Sequence, residues 1–365
     1  MADKELLYKM AFTFIPNIGA ITAKNLISYC GGMEQVFRAN KSKLSKTPGI
    51  GESRANDILN SNALQKAEEE LKAIEGKGIR LVFYLDENYP ANLKHYPDCP
   101  LLLYTRGVAD MNAPRMVAIV GTRKVTPYGE IQCEKLVEDL QQYNCTIVSG
   151  LAYGVDTIAH RQAVECKMPT LGVLGNGMNM LYPAKNKKLA AKMLEQGGII
   201  TEYAMDTQPD RENFPRRNRV IAGMADVVVI IESARKGGSM ITAEYANSYN
   251  KDVFAYPGRT NDEFSEGCNH LIKAHKAHLC TSAEDIAYIM RWDKTAEPRQ
   301  LELIIELSED EKKILELIKT NPNIGLDSLH YKSTFPLANI TTMLLNMEFK
   351  GLVKSLPGKK YILSR

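Results

Sequence analysis

The stretch MVAIVGTRKVTPYGEIQCEKLVEDLQQYNCTIVSG (Met116–Gly150) decides the fold. Two short, continuously apolar runs, Met116–Gly121 and Thr146–Gly150, flank a helical pattern that opens at Pro127, a residue suited to the first turn of a helix. Strands that are apolar throughout, rather than at alternate positions, are buried on both faces, as in a parallel sheet covered by helices on either side. The pattern recurs in TLGVLG (170–175), GIITEY (198–203), DVVVIIES (226–233) and DVFAYPG (252–258), each followed by a helical pattern or a glycine turn. The expected fold is α/β, with an extended Rossmann-like doubly wound sheet. Ligands of such sheets sit at the carboxyl ends of the strands.

Around this centre the 365 residues divide into further zones. Residues 1–75 are helical in period and carry a near-repeat: IPNIGAITAKNLI (Ile15–Ile27) aligns with TPGIGESRANDIL (Thr47–Leu59), pairing Pro16 with Pro48, Gly19 with Gly51 and Ala23 with Ala55. Each half reads as a short hairpin followed by a helix and resembles a helix-hairpin-helix motif, with Asn17 standing where glycine is expected. Such helix starts either hold a DNA phosphate or simply pack together. Residues 308–365 read as three helices and a terminal hairpin, a winged-helix pattern, with Ser308 and Glu311 spaced as a capping box. The expected domains are therefore a helix-hairpin-helix or SAM-like helical domain (1–75), the Rossmann domain (76–292), a linker (293–307) and a winged helix (308–365).

Composition excludes several classes. Lys+Arg 46 against Asp+Glu 43 leaves a net charge of +3, so a polyanion site must arise from clustering. The longest apolar runs, such as Val227–Ile231, fall far short of the roughly 20 residues of a membrane span, and MADKELLYKM lacks a signal-peptide core. Seven scattered cysteines without CxxC spacing argue against a disulfide scaffold or structural zinc and suit a reducing compartment. The expected location is cytoplasmic. No Walker loop is present, GNGMNM (Gly175–Met180) lacks the third glycine of a dinucleotide fingerprint, and the six histidines show no HExxH spacing. GLAYG lacks the serine of a nucleophile elbow, and His160 reads as structural. No cofactor, metal or catalytic residue is expected.

Three loops after the strands carry the chemistry. GTRKVTPYG (Gly121–Gly129) joins Gly121, Thr122 and Arg123 at a helix start, a cradle for phosphate. SGLAYGVDTIAH (Ser149–His160) supplies Ser149 and Gly150, and GGSMITAEYA (Gly237–Ala246) supplies Gly238 and Ser239. RENFPRRNR (Arg211–Arg219) sets Arg211, Arg216, Arg217 and Arg219 around Phe214 and Asn218. Arginine forks bind phosphates bidentately, and an aromatic ring beside them offers a base-stacking platform. Lys185 in YPAKN extends the same basic surface.

These motifs, followed by YPGR and GCNHLI, occur in an order that resembles the DNA-processing protein A (DprA/Smf) family, and the flanking zones fit along nearly the whole chain. The resemblance implies a non-catalytic recombination mediator. Such a protein binds single-stranded DNA in a Rossmann-domain pocket, acts as a homodimer and loads the recombinase RecA, protecting incoming DNA during natural transformation. It also implies that Arg123, Ser149, Gly150, Phe214, Arg217, Asn218, Arg219, Gly238 and Ser239 line the pocket, and that the dimer surface falls around Gly267–Leu279. Thr122 stands where serine is usual, and Lys236 and Gly237 replace an Arg-Ser-like pair. In the winged helix, residues 301–365 hold nine Lys+Arg against eight Asp+Glu, and the recognition helix has no basic residue before Lys350. That favours a protein-contact or auxiliary DNA role for the tail. The alternative is a nucleotide phosphoribohydrolase of the lysine-decarboxylase-like Rossmann group, since GGSMITAE faintly resembles its GGxGTxxE, with Glu244 in the acid position.

Overall fold

The computed structural model describes residues 4–108, 110–294, 308–321, 324–349, 352–356 and 358–363. Met1–Thr295 form one compact unit and Ala296–Arg365 a second. From residue 295 on, the expected linker lies outside the described residues.

The first unit opens with short helices, among them α1 (Ala20–Cys30) and α2 (Glu52–Leu59), each beginning directly after its glycine, Gly19 or Gly51. Asn17 adopts the left-handed φ of +58° where its counterpart Gly49 takes +82°. Asparagine tolerates that conformation, so the departure from glycine preserves the hairpin. Asn17 Nδ2 also donates to Asp57 at 3.0 Å, fastening one hairpin to the helix of the other.

The chain then enters the sheet through β1 (Arg80–Phe83), β2 (Leu102–Gly107) and β3 (Met116–Gly121). The α/β succession follows: α3 (Pro127–Leu140), β4 (Thr146–Ser149), α4 (Val155–Glu165), β5 (Thr170–Val173), α5 (Lys187–Gln196), β6 (Gly198–Thr201), α6 (Asn213–Met224), β7 (Val227–Ile231), α7 (Gly238–Ser248) and β8 (Asp252–Ala255). α8 (Glu266–Lys273), β9 (His278–Leu279) and α9 (Ala283–Met290) complete it. The strand order is β1-β2-β6-β5-β4-β3-β7-β8-β9; β6 through β9 run parallel, while β1 and β2 form an antiparallel edge. All six strands expected from the sequence are present. β1, β2 and β9 were not expected, being short, mixed in polarity or at an edge.

Alternation within each central strand feeds two cores. Val117 and Ile119 of β3 pack with Leu136, Val137 and Ile158 from α3 and α4. Ala118 and Val120 point to the other face, against Val220, Ile221 and Ala243 from α6 and α7. Each fully buried aliphatic chain contributes about 1.5–3 kcal/mol, and the double covering explains why the strands are apolar at every position. A third core joins the N-terminal helices to Phe83, Leu102 and Tyr104 of the antiparallel edge.

The second unit comprises α10 (Glu309–Thr320), α11 (Leu326–Ser333) and α12 (Leu337–Phe349) with a three-stranded sheet of β10 (Ile324–Gly325), β12 (Lys360–Leu363) and β11 (Val353–Leu356). Its first helix carries the expected capping box: the Ser308 N–H donates to Glu311 at 3.0 Å and the Glu311 N–H to the Ser308 hydroxyl at 3.2 Å. On α12 the exposed side chains include Leu337 and Leu345.

His160, on α4, is fully buried with Nδ1 2.7 Å from the Thr170 hydroxyl of β5. Burial, followed by the nearby Arg217 charge, pushes its pKa down to about 3. The native imidazole is thus neutral, whereas an unfolded histidine takes a proton near pH 6.5, so stability falls as pH drops below 6.5 towards 3. Between pH 7.5 and 5.5 this one group should cost about 1.4 kcal/mol, and urea unfolding of His160→Gln should lack that increment.

Candidate nucleic-acid interface

β3 has β4 on one side and β7 on the other, so successive connections depart in opposite directions from the β3–β7 junction. Loops diverge there and leave a crevice. A cleft of about 810 Å³ occupies this place, lined by residues from all three sequence-selected loops and from the start of α6. The final residues of several expected strands, such as Gly150, Glu232 and Ser233, have left the sheet to build its walls and supports.

The first loop is held by its backbone. A Cβ on Gly121 would lie 1.9 Å from the Ile231 carbonyl oxygen, so only glycine lets β3 end against β7. The Thr122 N–H donates to Glu232 O at 2.8 Å, and its hydroxyl accepts from the Lys124 N–H at 3.1 Å. The threonine in place of serine therefore keeps the hydroxyl in use. Glu232, a non-glycine residue at φ +52°, accepts from both the N–H and the hydroxyl of Thr126, the N-cap of α3. These contacts present Arg123 to the cleft, its guanidinium 5.7 Å from the centre of the Phe214 ring.

Phe214 lies in the first turn of α6 and fits because Gly175 has no side chain: a Cβ there would approach the ring to 2.8 Å. Tyr182 stands beside it at 5.6 Å between centroids and is 42% exposed. Asn218 lines the same wall and donates to Gly238 O at 3.3 Å, joining α6 to the start of α7. There Ser239 donates to Ser233 at 2.7 Å, and a Cβ on Gly237 would lie 2.5 Å from the Ser233 hydroxyl. Gly237 thus accommodates Ser233 where the family pattern has a larger residue. Neither α6 nor α7 has a side-chain cap. α7 leaves the Gly238 and Ser239 N–H groups available to an anion at its positive end, whereas α6 leaves only that of Phe214, since the Asn213 N–H donates to Asp210 O and Pro215 has none. Arg123, Lys124 and Arg211 add positive charge, with Glu263 an acidic member of the rim.

The floor is set by Arg217, only 5% exposed. Its guanidinium donates to Gly150 O at 2.7 Å and also to Val173 O, and it faces the buried Asp156. Asp156 accepts from the N–H groups of Gly150 (3.1 Å) and Ala152 (3.3 Å). Burial pulls the Arg217 pKa down to about 10 and pushes that of Asp156 up, while each charge opposes the other's shift. The two opposite charges face each other beneath the cleft without a direct ion pair, each held by backbone groups instead.

Of the expected site residues, the cleft brings together Gly121, Thr122, Arg123, Phe214, Arg217, Asn218, Gly238 and Ser239. Four others do not line it. Ser149 is buried, donating to Ile119 O at 2.6 Å, and Gly150 lies under the floor as a partner of Arg217. Lys185 is exposed in the segment Ala184–Asn186 outside the lining. Arg219 turns away to pair with Glu202, because two residues along a helix rotate a side chain by about 200°. Glu244, the acid of the phosphoribohydrolase alternative, also lies outside the cleft, bordering a separate depression with Arg235 and His270. The sequence reading missed Tyr182, although it quoted YPAKN, and Asp156, the carboxylate of the second loop; a lone acid among glycines was the available signal.

Residues 80–291 match the family described as DNA recombination-mediator protein A, and residues 297–359 match the DprA winged helix domain. Protein Smf of Synechocystis is 30% identical, with 99% of both chains covered. DNA processing protein DprA of Streptococcus pneumoniae is 39% identical over 55% of this chain and 71% of its own. The solved structure of DprA from S. pneumoniae aligns with a TM-score of 0.66 at 30% identity, covering 79% of this chain and 97% of that one. A structure of DNA processing protein A from Helicobacter pylori, concerned with its single-stranded DNA binding mode, aligns with a TM-score of 0.54 at 31% identity, covering 59% and 97%.

The two cleft arginines should separate by stability. Arg217→Ala leaves Asp156 buried without its counter-charge and should cost about 3–5 kcal/mol in denaturant unfolding. Arg123→Ala, on the open side, should change stability by less than about 0.5 kcal/mol.

Proposed function

This chain belongs to the DNA recombination-mediator protein A (DprA/Smf) family, and on that premise we propose that its cleft holds a single strand of DNA without catalysing a reaction on it. The observation that carries this reading is the pairing of Phe214, with Arg123 over its ring, and the uncapped start of α7 on one open wall. The ring offers a face to an unpaired base, and the N–H groups and guanidinium receive phosphates. A duplex keeps its bases stacked inside and gains little from such a ring.

The polar groups of the cleft are committed to structure, which supports a binding role over a catalytic one. Asp156 is held by two backbone N–H groups and faces the Arg217 charge, and Ser239 donates to Ser233. The position of Glu244 outside the cleft weighs against nucleotide hydrolysis. The finer parts of the reading follow the family: the chain protects incoming single strands during natural transformation, loads RecA onto them, works as a homodimer and resides in the cytoplasm. The exposed edge strand β9, with Leu279 52% exposed, supports a dimer surface around Gly267–Leu279. No helix among the described residues is long and apolar enough to cross a membrane. The exposed Leu337 and Leu345 on α12 support a protein-contact role for the winged helix. The expected divisions at residues 75 and 292 remain part of this proposal, with the N-terminal helices acting alongside the sheet they pack against.

Fluorescence anisotropy with a labelled single strand and its duplex, across a salt series, tests the reading. The single strand should bind more tightly, with Arg123→Ala lowering the salt slope by about 1 and Phe214→Ala costing about 1–3 kcal/mol. Equal affinity for both forms, or binding to neither, overturns it.

A further inference from the structure

RENFPRRNR packs four arginines into nine residues, and Arg219, which does not line the cleft, has a different environment from the rest. It projects from the opposite side of α6 onto Glu202, the residue that follows β6. Both side chains are largely buried, at 16% and 17% exposure, and they form a direct ion pair. The remaining Glu202 oxygen and one Arg219 nitrogen have no hydrogen-bond partner among the described residues. Asp98 adds its field to both and accepts the Tyr249 hydroxyl at 2.8–2.9 Å, and the Tyr249 ring stacks on Tyr96 at 3.7 Å.

We propose that the Glu202–Arg219 pair is a positioning clamp for the cleft: it fixes the rotation and height of α6, and so the placement of Phe214 and Asn218, without itself touching DNA. The proposal rests on the single-strand reading of the cleft for its functional consequence. Its geometry is that of a helix pinned from behind. Tyr203, next to Glu202, donates to Asn213 O at the start of α6 (3.3 Å); Glu202 holds its middle through Arg219; and Lys251 donates to Gly223 O near its end (2.9 Å). α6 in turn sets the start of α7 through Asn218 and Gly238. A slip or rotation of the helix therefore displaces the ring and the amide wall together.

The sign of the effect separates positioning from simple charge. Glu202→Gln removes a negative charge near a polyanion site, which by long-range electrostatics alone tightens DNA binding. The clamp predicts the reverse: single-strand affinity should fall about three- to tenfold with the salt slope unchanged, since no phosphate contact is lost. Arg219→Lys keeps the charge but loses the planar fork, and should weaken binding similarly, again at constant slope. Tighter or unchanged binding in Glu202→Gln overturns the clamp. A slope reduced by about 1 in Arg219→Gln overturns it as well, because Arg219 then neutralises a phosphate.

Hydrogen exchange supplies an arm that needs no DNA. Amides across Asn213–Met224 should exchange faster in Glu202→Gln while those of α4 stay as in the parent. Unchanged exchange in α6 refutes the clamp whatever the strand does. Faster exchange in a protein that binds no single strand leaves the clamp standing and rejects the single-strand reading.

Discussion

The site depends on one buried guanidinium. Arg217 reaches from α6 under the cleft and donates to the backbone oxygens of Gly150 and Val173, at the ends of β4 and β5, while facing Asp156 of α4. Four elements meet on a single planar group. Removing a charged fork from water costs several kcal/mol, and only a full set of acceptors with a counter-charge offsets it. The surroundings are shaped to it: a Cβ on Gly150 would lie 2.6 Å from the Arg217 guanidinium. The glycine at the end of β4 is there for the arginine beneath it.

From that anchor the motif RENFPRRNR divides its labour. Arg211 is at the rim, Arg217 under the floor and Arg219 at the back of the helix, where it meets Glu202. In sequence these are one basic cluster; wound at about 100° per residue they face three environments. Phe214 and Asn218, one turn apart, share the open wall. The helix is therefore a structural member whose exposed edge forms one wall of the cleft.

The fold was legible because burial on both faces leaves a direct mark: short continuous runs such as Val227–Ile231, repeated between helical patterns, are what a parallel sheet covered on either side requires. The edge strands were not, since Arg80–Phe83 and His278–Leu279 are too short or too mixed to show a period. The loops that make the cleft were legible from their glycines and hydroxyls, and two-thirds of the selected site residues share its lining. Lys185 is exposed but outside the lining, and the other three miss it for one reason: residue type announces chemistry but not direction. Ser149 and Gly150 stand at the end of a buried strand, and Arg219 is two positions from Arg217, so each has the right chemistry on an inward or opposite face. Tyr182 escaped because a lone tyrosine beside a lysine carries no pattern until Phe214 is placed next to it at 5.6 Å.

The central claim is that a single strand lies across the open wall formed by α6, α7 and the loop after β3. Ultraviolet cross-linking of a short oligothymidylate to the full chain, with the joined peptides mapped by mass spectrometry, tests it most directly. The account predicts adducts at Phe214 or Tyr182 and on the Gly121–Lys124 loop. Adducts confined to the winged helix or to the N-terminal hairpins, with the cleft unmodified, would contradict it.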